Sequence, residues 1–224
     1  MKERPILFSG PMVRAILEGR KTVTRRPVRG GQVPTEDKSI PSNGPRWSAI
    51  GQRHPRYGYC VFGQTEAECA QELGQRGVCP YGQPGDRLWV RETWARVGTG
   101  DPGHLVYRAT YPRCLPPWLE NVPADIRDAG YRWRPSIHMP RSACRLLLEI
   151  TAVRVERLQD ITEQQAIEEG VHRDVRKWFK SDEGGFAHDS AGDAFADLWC
   201  TINGPSSWGA NPWVWVVEFK RVTP

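Results

Sequence analysis

Glycine and proline punctuate this chain so densely that they decide what it can fold into: 22 Gly and 19 Pro are spread over 224 residues. Glycine opens positive φ and proline removes a backbone donor, so both tend to end regular elements. Much of the chain must therefore be turn and loop, around a compact core built from the few periodic runs. Core material is ample. Ten Trp, six Tyr and six Phe each carry a large apolar area into a core. Hydrophobic residues at 39% and charged residues at 25% suit a folded globular protein rather than a disordered one.

The periodic runs are short. Met1 to Pro5 leads into a helix-like stretch that contains charges. Ser9-Gly10-Pro11 reads as a helix start, Met12, Val13, Ile16 and Leu17 share one helical face, and Gly19 is a natural cap. Arg20 to Val28 looks extended. Residues 29–83 lack periodicity and read as an insertion with one short helix near Glu66 to Leu73. Pro84-Gly85 predicts a tight turn into a strand over Arg87 to Trp94, with Leu88, Val90, Glu92 and Trp94 on one face and Trp89, Arg91 and Thr93 on the other. Residues 98–143 form a second loop-rich insertion, and Arg145 to Leu158 reads as one or two strands. Thr162 to Gln165 is a capping box opening a short helix that Gly170 closes. After a third insertion at 172–189, Ala194, Phe195, Leu198, Trp199 and Ile202 mark an amphipathic helix stopped by Gly204-Pro205. The chain finishes on a strand, Trp213 to Val222. No internal repeat or low-complexity tract interrupts what reads as one domain.

No targeting segment is evident, and no apolar run approaches the ~20 residues of a spanning helix. A soluble, cytoplasmic protein with reduced thiols is the expectation for its six cysteines, which include no C-x-x-C pair. The net charge of +5 is a mild hint of a polyanionic partner. Its distribution says more: within residues 1–34, Lys2, Arg4, Arg14, Arg20, Lys21, Arg25, Arg26 and Arg29 are opposed only by Glu3 and Glu18. Such a cluster is the footprint of a nucleic-acid or nucleotide site, or equally a solvated basic face.

Gly19-Arg20-Lys21-Thr22-Val23-Thr24-Arg25-Arg26 resembles the signature of the ASCH-domain family: Gly, any residue, Lys, two residues, an acidic or hydroxyl residue, any residue, Arg. Further matches follow in order. Pro84-Gly85-Asp86 looks like the turn opening that family's central strand. Asp160 to Val171, ending Glu168-Glu169-Gly170, looks like its short acidic helix, and Trp213 to Val222 fits its closing strand. Together these cover about half the chain. The insertions fall outside the resemblance, and the long, Trp-rich form looks like versions found in phages and prophages. The resemblance implies an α+β fold: a small PUA-like β-barrel of RNA-binding type, with short flanking helices and long loop insertions. Many members carry Glu where this chain has Thr24. The family's bacterial acetylcytidine amidohydrolases instead have Lys and Thr at these two positions. By that likeness Thr24 is the nucleophile, Lys21 its activating base and Glu169 the proton shuttle, with Arg20, Arg25, Arg26 and Glu92 as substrate-binding candidates. The implied partner is a modified nucleoside or RNA, with no cofactor and no metal. Two other family activities are carried as alternatives, a non-catalytic RNA-binding module and a ribonuclease.

The chemistry can be weighed on its own. A Thr hydroxyl is a poor nucleophile without a base, and Lys serves only when neutral, which burial or neighbouring cations promote. Arg26 could stabilise an oxyanion or anchor substrate. Geometry sets a condition: in an ideal strand Lys21 and Thr24 point to opposite faces about 10 Å apart, so the backbone must bend between them. Glu169, in the last turn of its helix, opposes the helix dipole, a local conflict of the kind that marks functional sites. Glu92 falls on the inner strand face, where a structural ion pair with an Arg competes with a role at the site. Cys60, Cys69 and Cys79 near His54 form only a loose zinc pattern. Trp47, Trp118, Trp133, Trp178 and Trp208 could stack on bases, though such residues more often pin loops to a core.

Overall fold

The computed structural model of the protein describes residues 1–52, 56–98, 100, 102–116 and 122–222; His54 and Trp118 lie outside them. In chain order the elements are β1 (Glu3–Leu7), α1 (Gly10–Leu17), β2 (Val23–Pro27), β3 (Thr35–Glu36), β4 (Trp47–Gln52), β5 (Tyr59–Gly63), α2 (Glu66–Arg76), β6 (Arg87–Arg91), β7 (Trp94–Val97), β8 (His104–Tyr107), β9 (Leu147–Arg157), α3 (Glu163–Glu168), β10 (His172–Asp174), β11 (Lys177–Phe179), α4 (Ala191–Asn203) and β12 (Trp213–Val222). The result is a mixed α/β architecture.

Strand β12 is the spine. It pairs antiparallel with β9 over ten residues, with one irregularity at Glu218/Phe219, and with β2 on its other side. Val214, Trp215, Val216 and Val217 are each at most 1% exposed, so both faces of the strand are covered. Full burial of such side chains contributes about 1.5–3 kcal/mol apiece. The central sheet runs β1-β6-β9-β12-β2, with β1 parallel to β6 and the other neighbours antiparallel. Its two edge strands approach each other. Arg26 of β2 donates from Nη2 to the Leu7 carbonyl at the end of β1, 2.8 Å away, and its guanidinium lies over the Phe8 ring. The sheet therefore curls far enough for a side chain of one edge to bond the backbone of the other. The remaining strands form three separate small sheets, and no sheet closes through backbone pairing among the described residues.

Several expectations are corrected. Glu3 to Leu7, read only as the approach to the helix-like stretch, forms a strand, β1; at the sheet edge Pro5 costs no ladder bond that the sheet needs. Arg87 to Trp94 is not one strand. β6 ends at Arg91, and Trp94 instead starts a hairpin, β7–β8, whose two faces carry small cores of their own: Trp94, Tyr107, Met139 and Ala143 on one, Ala95, Val97, Val106 and Ile126 on the other. The first insertion holds the antiparallel sheet β3-β4-β5, and its helix runs three residues beyond the expected end. Ala49, Val61, Cys69, Ala70 and Leu73 carry it into the main core. The third insertion contains the β10–β11 hairpin. Trp47 and Trp178 thus sit in strands. Trp133 meets Tyr111 edge-on, and Trp208 meets Phe195 likewise.

The six cysteines are free; Cys60 is exposed, while Cys69 and Cys79 are buried. Among the described residues no cluster of His, Cys, Asp and Glu is arranged to hold a metal ion, and no helix is long and apolar enough to cross a membrane.

Candidate functional site

The segment between α1 and β2 creates the site. Helix α1 ends at Leu17 with Glu18 as its cap, and Gly19 takes φ 75°, the left-handed conformation that glycine adopts freely. The amides of Arg20 and Lys21 then both donate to the Ala15 carbonyl, at 2.9 and 3.1 Å. Thr22 donates to the Glu168 carbonyl and accepts from the Phe219 amide. Residues 20–22 are thereby wrapped between the end of α1, the end of α3 and β12, and β2 starts only at Val23. This is the bend that Lys21 and Thr24 need in order to face one space.

That space is a cavity of ≈ 290 Å³, just below the range usual for small-molecule pockets. Lys21, Thr24, Arg25, Arg26 and Glu169 form its polar wall. Phe8, just before α1, Met12 of α1, and Phe195, Trp199 and Ile202 of α4 complete its lining. Charged and aromatic side chains thus line one space, with Lys21 and Arg26 over the Phe8 ring and Arg25 over that of Phe195.

Lys21 is 3% exposed, and its ammonium donates to both the backbone carbonyl and Oε2 of Glu169, each at 2.7 Å. Burial lowers its pKa below the ordinary 10.5; the Glu169 charge and hydrogen bond oppose that shift, and Arg26 and Arg25 add to it. Glu169 is itself 3% exposed at the C-cap of α3. Gly170, φ 92°, follows it, and a Cβ there would come within 3.0 Å of the Cβ atoms of Ala15 and Lys21. Only glycine lets the end of α3 sit this close to Lys21 without displacing it.

Arg25 has a fully buried guanidinium, shared among Glu169 (3.3 Å), Glu156 (2.6 Å) and Gln165 (2.9 Å). It is committed to protein partners and holds Glu169 from the side opposite Lys21. Arg26 has one bond, to the Leu7 carbonyl, and no carboxylate partner among the described residues. Its Nε is buried without a partner among them, and the residue lines the cavity. The Thr24 side chain is buried, at 4% exposure, and its hydroxyl has no hydrogen-bond partner among the described residues.

Two candidate residues stand apart from this cavity. Arg20 pairs with Glu18 and donates to the Gly170 carbonyl at 3.1 Å, on the outer side of the α3 terminus. Glu92 is 1% exposed and held by both donors of a fork from Arg145, at 2.8 and 2.9 Å; it lines a neighbouring cavity instead. Sequence reasoning missed the aromatic and aliphatic lining. The apolar face of α4 was legible, but periodicity says that a face is buried, not that part of it borders a cavity. Thr93, Ser136 and Asn203, also at the rim, had no signal at all. Comparison with known proteins adds no constraint: no family model, curated protein or solved structure matches the chain.

Proposed function

We propose that the protein is an ASCH-type, PUA-like domain acting as an amidohydrolase on an N-acylated cytidine or a related modified nucleobase. The observation that carries this reading is a buried lysine with a lowered pKa, bonded to a buried carboxylate, in the same cavity as a threonine hydroxyl with no partner among the described residues. Nucleophile, base and shuttle are the three groups such a reaction needs. The order of the motif elements along the chain supports the family reading, as does a sheet curled until its edges touch through Arg26 and Leu7.

In the proposed reaction the Thr24 hydroxyl attacks the acyl carbon while neutral Lys21 takes its proton. The new O–C bond pushes the carbonyl electrons onto oxygen, where Arg26 stabilises the charge. Collapse breaks the C–N bond, and Glu169, 2.7 Å from Lys21, relays the proton to the leaving exocyclic nitrogen. Water then adds to the threonyl ester; its collapse releases the carboxylic acid and restores Thr24. The aromatic lining suits a flat base, and a cavity of ≈ 290 Å³ suits one small molecule better than a nucleic-acid strand.

The test is incubation with acetylcytidine, following cytidine by chromatography. Turnover is expected; Thr24→Ala should abolish it and Lys21→Ala should lower it by about 10²–10⁴-fold, while the protein stays folded. Full activity in either variant sinks the mechanism.

A further inference from the structure

Next to the first cavity lies a second, of ≈ 270 Å³, and the two share one lining residue, Thr93. We infer that this second cavity is the sugar subsite of the same site, taking the neutral, hydroxyl-bearing ribose of a nucleoside whose base fills the first. The inference rests on the proposed function for the identity of the base, and on the cavity's own chemistry for the sugar.

The walls are polar and electrically balanced. Glu92, Thr93, Arg14, Arg108 and Glu183 line the cavity. Arg145 holds Glu92, and Asp182 and Glu183 hold Arg14, which also donates to the Ala109 carbonyl. Two guanidinium groups, of Arg14 and Arg108, therefore line the cavity with two carboxylates, of Glu92 and Glu183, while Arg145 and Asp182 pair with them from behind. A phosphate placed here would lie against the carboxylates of Glu92 and Glu183, with repulsion offsetting the arginines. An apolar group would strip water from charged groups and return no hydrogen bonds. Sugar hydroxyls satisfy both sets: they donate to carboxylate oxygens and accept from guanidinium donors. Two groups are available for this. Arg108 is exposed and has no side-chain partner among the described residues, and the Thr93 hydroxyl has none either. Thr93 is fixed by its own backbone, whose carbonyl accepts from the Arg108 amide at 3.0 Å. It stands at the junction, where the bond between base and sugar would pass.

Calorimetric titration of the intact protein with cytosine, cytidine and cytidine 5′-monophosphate tests this without requiring turnover. Cytidine should bind about tenfold more tightly than cytosine, the effect of one or two added hydrogen bonds, and the monophosphate no more tightly than cytidine. Thr93→Val and Arg108→Ala should each bring the cytidine-to-cytosine ratio toward one. Neither change touches the buried Glu92–Arg145 pair, so folding is preserved. Equal binding of cytosine and cytidine, binding of neither, or a tenfold gain from the phosphate overturns the inference. A cytidine preference in a protein that leaves acetylcytidine intact would sink the hydrolytic reading alone.

Discussion

Two buried carboxylates lie on either side of Thr93, and they differ in the cation that each meets. Glu169 is bonded by Lys21 at 2.7 Å and, more loosely, by Arg25 at 3.3 Å, whereas Glu92 is bonded among the described residues by Arg145 alone, at 2.8 Å, and both residues are at most 3% exposed. An arginine grips a carboxylate with a planar fork, so Arg145 holds Glu92 in one geometry. A lysine can lose its proton when burial disfavours the charge, and Lys21 is pushed that way. The first pair can move a proton; the second can only hold a shape. On the proposed function, the difference gives the chemistry to one cavity and positioning to the other.

The sharpest way to break this contrast is to remove the proton-transferring partners. Lys21→Ala should lower turnover of acetylcytidine by about 10²–10⁴-fold, the usual contribution of a general base. Lys21→Arg should fail to restore it, because the replacement cannot deprotonate. Activity in the arginine variant would show that charge alone is needed and that the two pairs are equivalent.

Glu92→Ala acts on the other pair and should appear in stability. It leaves the Arg145 guanidinium facing the buried site without its carboxylate, and removing one partner of a buried pair costs about 3–5 kcal/mol. Arg145 is 23% exposed, which places the expected loss near the low end. Urea unfolding reads it directly. A loss below about 1 kcal/mol, the level of surface pairs, would mean that the pair does not hold the corner between β6 and β7.

The pH profile separates the pairs without mutation. The folded-state pKa of Lys21 lies below its unfolded value of 10.5. Between those two values the unfolded chain binds more protons, so stability rises with pH across that window; the contribution is fully present above 10.5 and lost as pH falls through the folded pKa. Activity should rise with the neutral fraction of Lys21, with an inflection below 10.5, and Lys21→Ala should flatten the corresponding limb of the stability curve. An unchanged curve in the Lys21 variant would assign the titration elsewhere.

How much of this was legible follows from how local each signal is. Helices α1, α3 and α4 carry their caps and apolar faces within a few residues, and the Thr162–Gln165 capping box forms as written. Strand β12 announces itself by its apolar run. The strands of the insertions are two to six residues long, and pairing partners rather than pattern stabilise them, so they read as loop. β1 was hidden by its charges and by Pro5, which only an edge strand tolerates. At the site, the motif drew attention to Lys21 and Thr24. The bend that turns them to one cavity depends on the Ala15 and Glu168 carbonyls, which no local pattern encodes. Arg25 likewise read as a candidate ligand for substrate, because Glu156 and Gln165, which occupy it, lie 131 and 140 residues away.

The smallest expected effect marks the boundary of the site. Arg20 belongs to the same motif as Lys21 and was a substrate-binding candidate, yet its partners are Glu18 and the Gly170 carbonyl. Its side chain and that of Glu18 are 29% and 51% exposed, so solvent screens the pair. Arg20→Ala should therefore cost less than about 1 kcal/mol of stability and leave KM within about twofold, in line with surface ion pairs. A larger rise in KM with unchanged stability would place Arg20 against substrate and extend the site across the α3 terminus. A fall in kcat with KM unchanged would instead implicate the Gly170 carbonyl bond, through which Arg20 steadies the turn that holds Glu169 against Lys21.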